Sequence, residues 1–213
     1  MIDHFMYGVA DLDAGIAWSE LTFGVAAVPG GSHTGLGTRN ALLSFGETYL
    51  EIIAPDPAQS LAGTFGGRLA GLEGGGLITW CAGGNLLKVK DQLEARGVSC
   101  NGPVTTRRRT PAGLLLEWQL LFPRKHNFGG RFPFFIDWMA CEHPSRTNPI
   151  AGSLETFQVF VENGDVYRDA MDGLVPRLTV LEAKAGLLVE VMGRNGLVEL
   201  RSTPETADLS MFG

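Results

Sequence analysis

Cys81, Cys100 and Cys141 are the only cysteines in 213 residues. Their number is odd and their spacing matches no metal-binding pair. Neither a disulfide framework nor a cysteine-based zinc site is therefore expected, and reduced thiols in a cytoplasmic protein are the simplest reading. Basic charge is in deficit: 17 Lys and Arg against 23 Asp and Glu leave a net charge of −6, which offers no footprint for nucleic acid. No run approaches the roughly 18 apolar residues of a membrane span, and Asp3 stands where a signal peptide would be basic, so neither span nor leader is expected. Gly30 to Thr38 lacks the Lys and spacing of a phosphate-binding loop. No Gly-x-Gly-x-x-Gly follows a strand, and no Gly-x-Ser-x-Gly elbow or Cys/His nucleophile pair stands out. Glycine, by contrast, is abundant at 29 residues and suits a fold with many tight turns.

A short phrase recurs along the chain: Tyr49-Leu50-Glu51-Ile52, Phe135-Ile136-Asp137-Trp138 and Leu197-Val198-Glu199-Leu200. Each sets one carboxylate among apolar residues on what reads as the last strand of a unit, and a buried carboxylate is costly unless paired, protonated or metal-bound. The first unit, residues 1–54, reads as a strand Ile2 to Val9, a helix capped by Asp11 or Asp13 and stopped at Gly24, then three strands. Within it, Pro29 to Arg39 reads as a glycine-rich loop carrying His33. Residues 55–76 form a connector with one helical turn near Leu69. The second unit, 77–140, repeats the order, with Asn85 capping its helix, a turn at Thr110 to Gly113 and strands through Arg107-Arg108-Arg109 and Trp118. A third, more divergent unit spans 154–201, with Asp165 as helix cap and Asn195-Gly196 as a hairpin signal. Residues 202–213 read as a weakly ordered tail. Repetition of one supersecondary element predicts an α+β fold of tandem βαβββ units.

Four segments carry a resemblance to a known family. Ile2-Asp3-His4, Gly35 through Leu43 and Tyr49-Leu50-Glu51-Ile52-Ile53-Ala54-Pro55 resemble glyoxalase-like domains of the vicinal oxygen chelate superfamily, as does Pro133 to Trp138 followed by His143-Pro144. The likeness covers residues 1–145 well and the last third loosely. It implies two units forming a cupped mixed sheet around one divalent ion, Fe, Mn, Ni, Co or Zn, with a small oxygenated molecule as ligand. Carried over by position, His4 and Glu51 match metal ligands of the first unit, and Asp137 holds the last-strand position of the second. The matching first-strand position falls near Ile78 or Thr79, neither a good ligand. The superfamily includes lyases, isomerases, dioxygenases and metal-free binding proteins, so the fold does not fix the reaction.

The expected site is therefore His4, Glu51 and Asp137 for metal, with Glu51 and His33 for acid–base chemistry. Asn40, Arg39, Arg107, Arg109 and Trp118 are expected to contact substrate, an inward arginine clamping an anionic group. The open alternative is a metal-free binding or sequestering protein in which His4 and Glu51 pair with each other. Glu199 is read as structural, His126 and His143 as loop histidines outside the site. The third unit is expected to extend the sheet, to pair with its counterpart in a homodimer, or to cover a face of the first two.

Overall fold

The computed structural model describes residues 1–109, 113, 115–176, 178–207 and 209, with Arg108 and Arg109 by backbone alone. The first unit contains β1 (Ile2–Gly8), α1 (Leu12–Phe23), β2 (Val28–His33), β3 (Thr38–Ser44) and β4 (Tyr49–Pro55). Asp11, not Asp13, caps α1 by accepting the Ala14 N–H, and Gly24 ends it in the left-handed conformation at φ 69°. A connector with α2 (Phe65–Leu69) leads to the second unit: β5 (Gly76–Gly83), α3 (Leu86–Ala95), β6 (Ser99–Arg109), β7 (Leu115–Arg124) and β8 (Phe134–Asp137). Asn85 caps α3 as expected. Of the expected turn at Thr110 to Gly113, only Gly113 lies within the described residues.

Both units pair their strands alike. The sheet order β2-β3-β4-β1-β5-β8-β7-β6 places two equivalent halves on either side of the β1/β5 seam. Its edges, β2 and β6, come into contact, so the sheet curls into a cup. Strand alternation sorts the side chains. Phe5, Leu50, Ile52, Trp80 and Ala82 face the convex core, whereas Met6, Ile53, Ile78, Cys81, Phe134 and Ile136 face the concave side.

The third unit keeps the order strand, helix, three strands: β9 (Gly152–Val161), α5 (Gly164–Met171), β10 (Thr179–Glu182), β11 (Gly186–Gly193) and β12 (Gly196–Arg201). Its divergence lies in the pairing, since β9 sits between β10 and β11 in the order β10-β9-β11-β12. Asn163 caps α5 in place of the expected Asp165, which stands in the first turn. This second sheet covers the convex face of the first: Phe157 packs 4.9 Å from both Phe5 and Trp80, ring centre to ring centre. Glu199 is exposed and paired with Arg201. The expected weak order after residue 201 is not what the described part of the tail shows. Helix α6 (Pro204–Ala207) docks there, with Thr206 fully buried and Arg131 reaching the Ala207 carbonyl. Among the described residues, no helix is long and apolar enough to cross a membrane.

Candidate functional site

The concave face of the large sheet holds a cleft enclosing about 880 Å³ of empty space, open solvent included. Its two walls differ in chemistry. The first unit supplies His4 from β1, His33 from β2, Asn40 from β3 and Glu51 from β4. The second unit supplies Trp118 and Leu120 from β7, Phe134 and Ile136 from β8, and Thr106 and Arg107 from β6. Polar groups thus converge on one wall, and a mainly apolar, aromatic wall faces them.

His4 is buried and fixed on every side. Its ring stacks on Tyr49 at 4.6 Å and meets the Phe134 ring edge-on at 5.4 Å. Its Nδ1 lies 2.7 Å from Asp3 Oδ1, so Nδ1 carries the proton and donates it to the carboxylate. Neighbours on a strand normally point to opposite faces. Here the β1/β5 register slips between Ile2 and His4, leaving Asp3 as the extra residue of a β-bulge and turning its side chain toward His4.

Asp3 in turn organises a second group. Its Oδ2 accepts from Trp138 Nε1–H at 3.0 Å and from His143 Nε2 at 3.1 Å. The His143 tautomer follows from its other nitrogen, which accepts the Ser145 backbone N–H at the start of α4 (Pro144–Thr147). Burial on its own would raise the pKa of Asp3. The hydrogen bonds and charges of His143 and His4 outweigh it and hold the carboxyl well below the usual range.

In the neutral tautomer with Nδ1 protonated, the Nε2 lone pair faces Glu51 Oε2, 3.5 Å away. The other Glu51 oxygen accepts from Asn40 Nδ2 at 2.7 Å and lies 3.7 Å from His33 Nε2. His33 Nδ1 is 3.0 Å from the Thr38 hydroxyl. His33 ends strand β2, where the sequence suggested a loop, and this places its ring on the wall of the cleft and not in solvent. Cys81 stands opposite His4 in the β1/β5 pairing, and one donor atom each from Asp3, His4 and Cys81 lie within 4.8 Å of one another. Full burial, reinforced by the charges of Asp3 and Glu51, pushes the Cys81 thiol well up, so it stays protonated.

The cleft therefore brings together His4, Glu51, His33, Asn40, Arg107 and Trp118. It does not bring in Asp137. Alternation on β8 directs Phe134 and Ile136 inward, and the Asp137 carboxylate instead accepts the Met139 N–H at 2.8 Å, closing a turn. Arg39 also stands apart: between the inward Thr38 and Asn40 it faces α1, with Nη2 4.0 Å from Asp13. The Arg109 side chain lies outside the described residues. Two members of the site's surroundings, Asp3 and His143, were not legible as such. The Asp-His dipeptide reads as opposite faces until the bulge is known, and the His143-Pro144 step reads as a loop.

Two βαβββ units forming one cupped sheet, with a His- and Glu-bearing concavity, define a fold of the vicinal oxygen chelate type. The glyoxalase-like domain family matches residues 2–175, and the chain belongs to that family. The match runs past residue 145 through β9 and α5. No curated protein matches the sequence. Among solved structures, a hypothetical protein from Staphylococcus aureus superimposes with a TM-score of 0.64 at 21% identity, covering 94% of this chain and 84% of that one. Methylmalonyl-CoA epimerase from Mycobacterium tuberculosis gives 0.47 at 22% identity over 63% of this chain and 84% of that one. A variant of the Streptomyces coelicolor methylmalonyl-CoA epimerase, in complex with 2-nitronate-propionyl-CoA, gives 0.48 at 22% identity over 68% and 98%. At these identities the likeness is one of fold.

Proposed function

We propose that the cleft is a single-metal site acting on a small oxygenated molecule, with His4 Nε2 and Glu51 as the protein ligands of a divalent ion. One observation carries the reading: His4 Nε2 and a carboxylate oxygen of Glu51 face each other at 3.5 Å in the cleft wall. Two ligands of one first-row ion, each about 2.0–2.2 Å from it, lie roughly 3.0–3.5 Å apart. The donor set, one imidazole and one carboxylate with other positions open, suits Mn, Fe, Co, Ni or Zn. Asp3 then acts as the carboxylate behind a metal-bound histidine, fixing its tautomer and orientation. An ion held instead by Asp3, His4 and Cys81 is the less favourable arrangement. Asp3 would have to surrender donors from Trp138 and His143, and Cys81 would have to ionise beside two carboxylates.

Such an ion supplies Lewis acidity toward adjacent oxygens of a ligand. The chain's own groups supply the rest. His33 Nε2 faces the cleft within reach of Glu51 and is the proposed general base for a proton next to those oxygens. Asn40 holds Glu51 in place, and the wall of Trp118, Phe134 and Ile136 excludes water. Under the competing reading, His4 is an imidazolium bridging Asp3 and Glu51, and the cup only sequesters its ligand.

Titration of chelator-treated protein with Mn(II), followed by calorimetry and elemental analysis, separates the two. One ion per chain, lost in both His4→Ala and Glu51→Gln, is the expected result. No ion uptake, or uptake indifferent to both substitutions, overturns the metal reading.

A further inference from the structure

The second-unit wall says what kind of molecule the cleft accepts, and this inference rests on the proposal that the polar wall holds the ligand's oxygens. Trp118 and Trp138 form an aromatic corner, with ring centres 5.4 Å apart and planes tilted by 42°. Trp138 is not free to swing, because its indole N–H is tied to the buried carboxylate of Asp3. The corner is thus a preformed surface whose faces fit a flat ring by offset or tilted stacking. His4, His33, Asn40 and Glu51 line the same cleft from the first unit, which favours a ligand with its oxygen-bearing head toward Glu51 and its apolar body toward the tryptophans. Arg107, on the edge strand β6, lines the cleft with a largely exposed side chain. Its Nε is held by Glu117 across the β6/β7 pair, which orients the guanidinium at the rim. The guanidinium N–H groups not used by Glu117 remain to meet an anionic group on the ligand.

We propose that the ligand is an aryl compound with two polar groups: adjacent oxygens for the His4–Glu51 pair, a flat ring against Trp118 and Trp138, and an anionic group that meets Arg107. Shape and charge are read by different residues, so each can be removed separately. A stacked aromatic face changes affinity by about five- to tenfold, and an ion pair to an exposed guanidinium by about fivefold.

The test uses three synthetic probes with the same α-hydroxyketone head, titrated by calorimetry into the full chain with and without Mn(II). The first is 4-(hydroxyacetyl)benzoate, the second lacks only its carboxylate, and the third replaces the ring by cyclohexane. The benzoate is expected to bind at least fivefold more tightly than either of the others. Arg107→Ala, at an exposed position, is expected to abolish the difference between the first two and to leave that between first and third. Trp118→Leu is expected to do the reverse, with Trp118→Phe retaining preference for the ring. A preference under fivefold for ring or carboxylate overturns the proposal, as does an Arg107→Ala protein that keeps the carboxylate preference. The metal reading fails on a separate result. If the affinity of every probe is the same without Mn(II) and in Glu51→Gln, the ligand class stands and the ion does not.

Discussion

Replacing Asp3 by Asn tests whether one buried carboxylate organises the cleft. The substitution conserves shape and leaves one carbonyl oxygen for three donors now shared between two carboxylate oxygens: His4 Nδ1, Trp138 Nε1 and His143 Nε2. Its new N–H₂ points at one of those donors. A hydrogen bond to a charged group contributes about 1.5–3 kcal/mol, and a buried donor left without a partner costs about 1–3 kcal/mol. Allowing for partial rearrangement, a loss of about 2–4 kcal/mol is expected. At roughly 2–4 °C per kcal/mol for a chain of this size, calorimetry should record a fall in Tm of about 4–16 °C. The effect depends on pH in a set direction. The folded carboxyl titrates far below its unfolded value near 3.8, so the carboxylate's contribution is complete above that value and is lost as pH falls through it toward the folded one. The gap between wild type and variant should therefore be full at neutral pH and narrow in acid. Metal affinity should fall about 10–100-fold, the usual cost of losing the group behind a metal-bound histidine. A Tm change under 2 °C at neutral pH, with Mn(II) affinity unaltered, would refute the account of Asp3 as the organiser.

Phe157→Ala removes the ring wedged between Phe5 and Trp80 and should cost about 3–5 kcal/mol, read as a shift in the urea midpoint. Mn(II) binding measured below the unfolding range should be unchanged, because Phe157 lies on the convex side; altered binding would contradict that separation. Gly66→Ala places a methyl group against the Gly37 carbonyl, where α2 packs backbone to backbone on the turn after His33. Displacing that turn should cost about 1–3 kcal/mol and weaken ligand binding in the same variant; stability loss without a binding change would show that the turn does not position His33. Burial, with Glu94 nearby, pushes the Cys100 thiol from 9.0 up to about 11. Site-resolved alkylation should reach half-rate near pH 11, and because the folded thiol keeps its proton longer than the unfolded one, stability should decline as pH rises from 9 toward 11. Half-rate near pH 9 would show the thiol to be solvated.

The fold was legible because strand period and caps act locally. Asn85 and Gly24 perform the roles their residue types favour, and the alternation of Tyr49, Glu51 and Ile53 against Leu50 and Ile52 assigns both faces of β4. Errors arose where a side chain's direction depends on pairing that the sequence does not display. Asp137 has the right composition around it but the wrong parity, and the strand's end turns its oxygen to the backbone of Met139. Arg39 falls between two inward residues and is directed out by the same alternation that directs Asn40 in. Asp3 is the converse case: a one-residue slip in register brings it to the face that parity would deny it.

These cases share a cause in how the three copies divide their work. A repeated unit supplies a hydrogen-bonding scaffold, and each copy is then free to spend its facing positions differently, since the backbone pairing does not depend on them. The first unit uses its inward positions for His4, His33, Asn40 and Glu51, which a mainly apolar neighbouring wall can shelter. The second unit provides that wall, filling its corresponding strands with Trp118, Leu120, Phe134 and Ile136. The third changes even its strand pairing and closes the convex face, where Trp80 and Tyr167 both donate to the Arg131 carbonyl. A cup with ligands contributed equally by both halves would have given the second unit a carboxylate facing Glu51. With mainly apolar residues there and Arg107 on the β6 edge, most of the cleft's polar groups lie on one side, and under the proposed function a ligand is held mainly by one unit and shaped by the other.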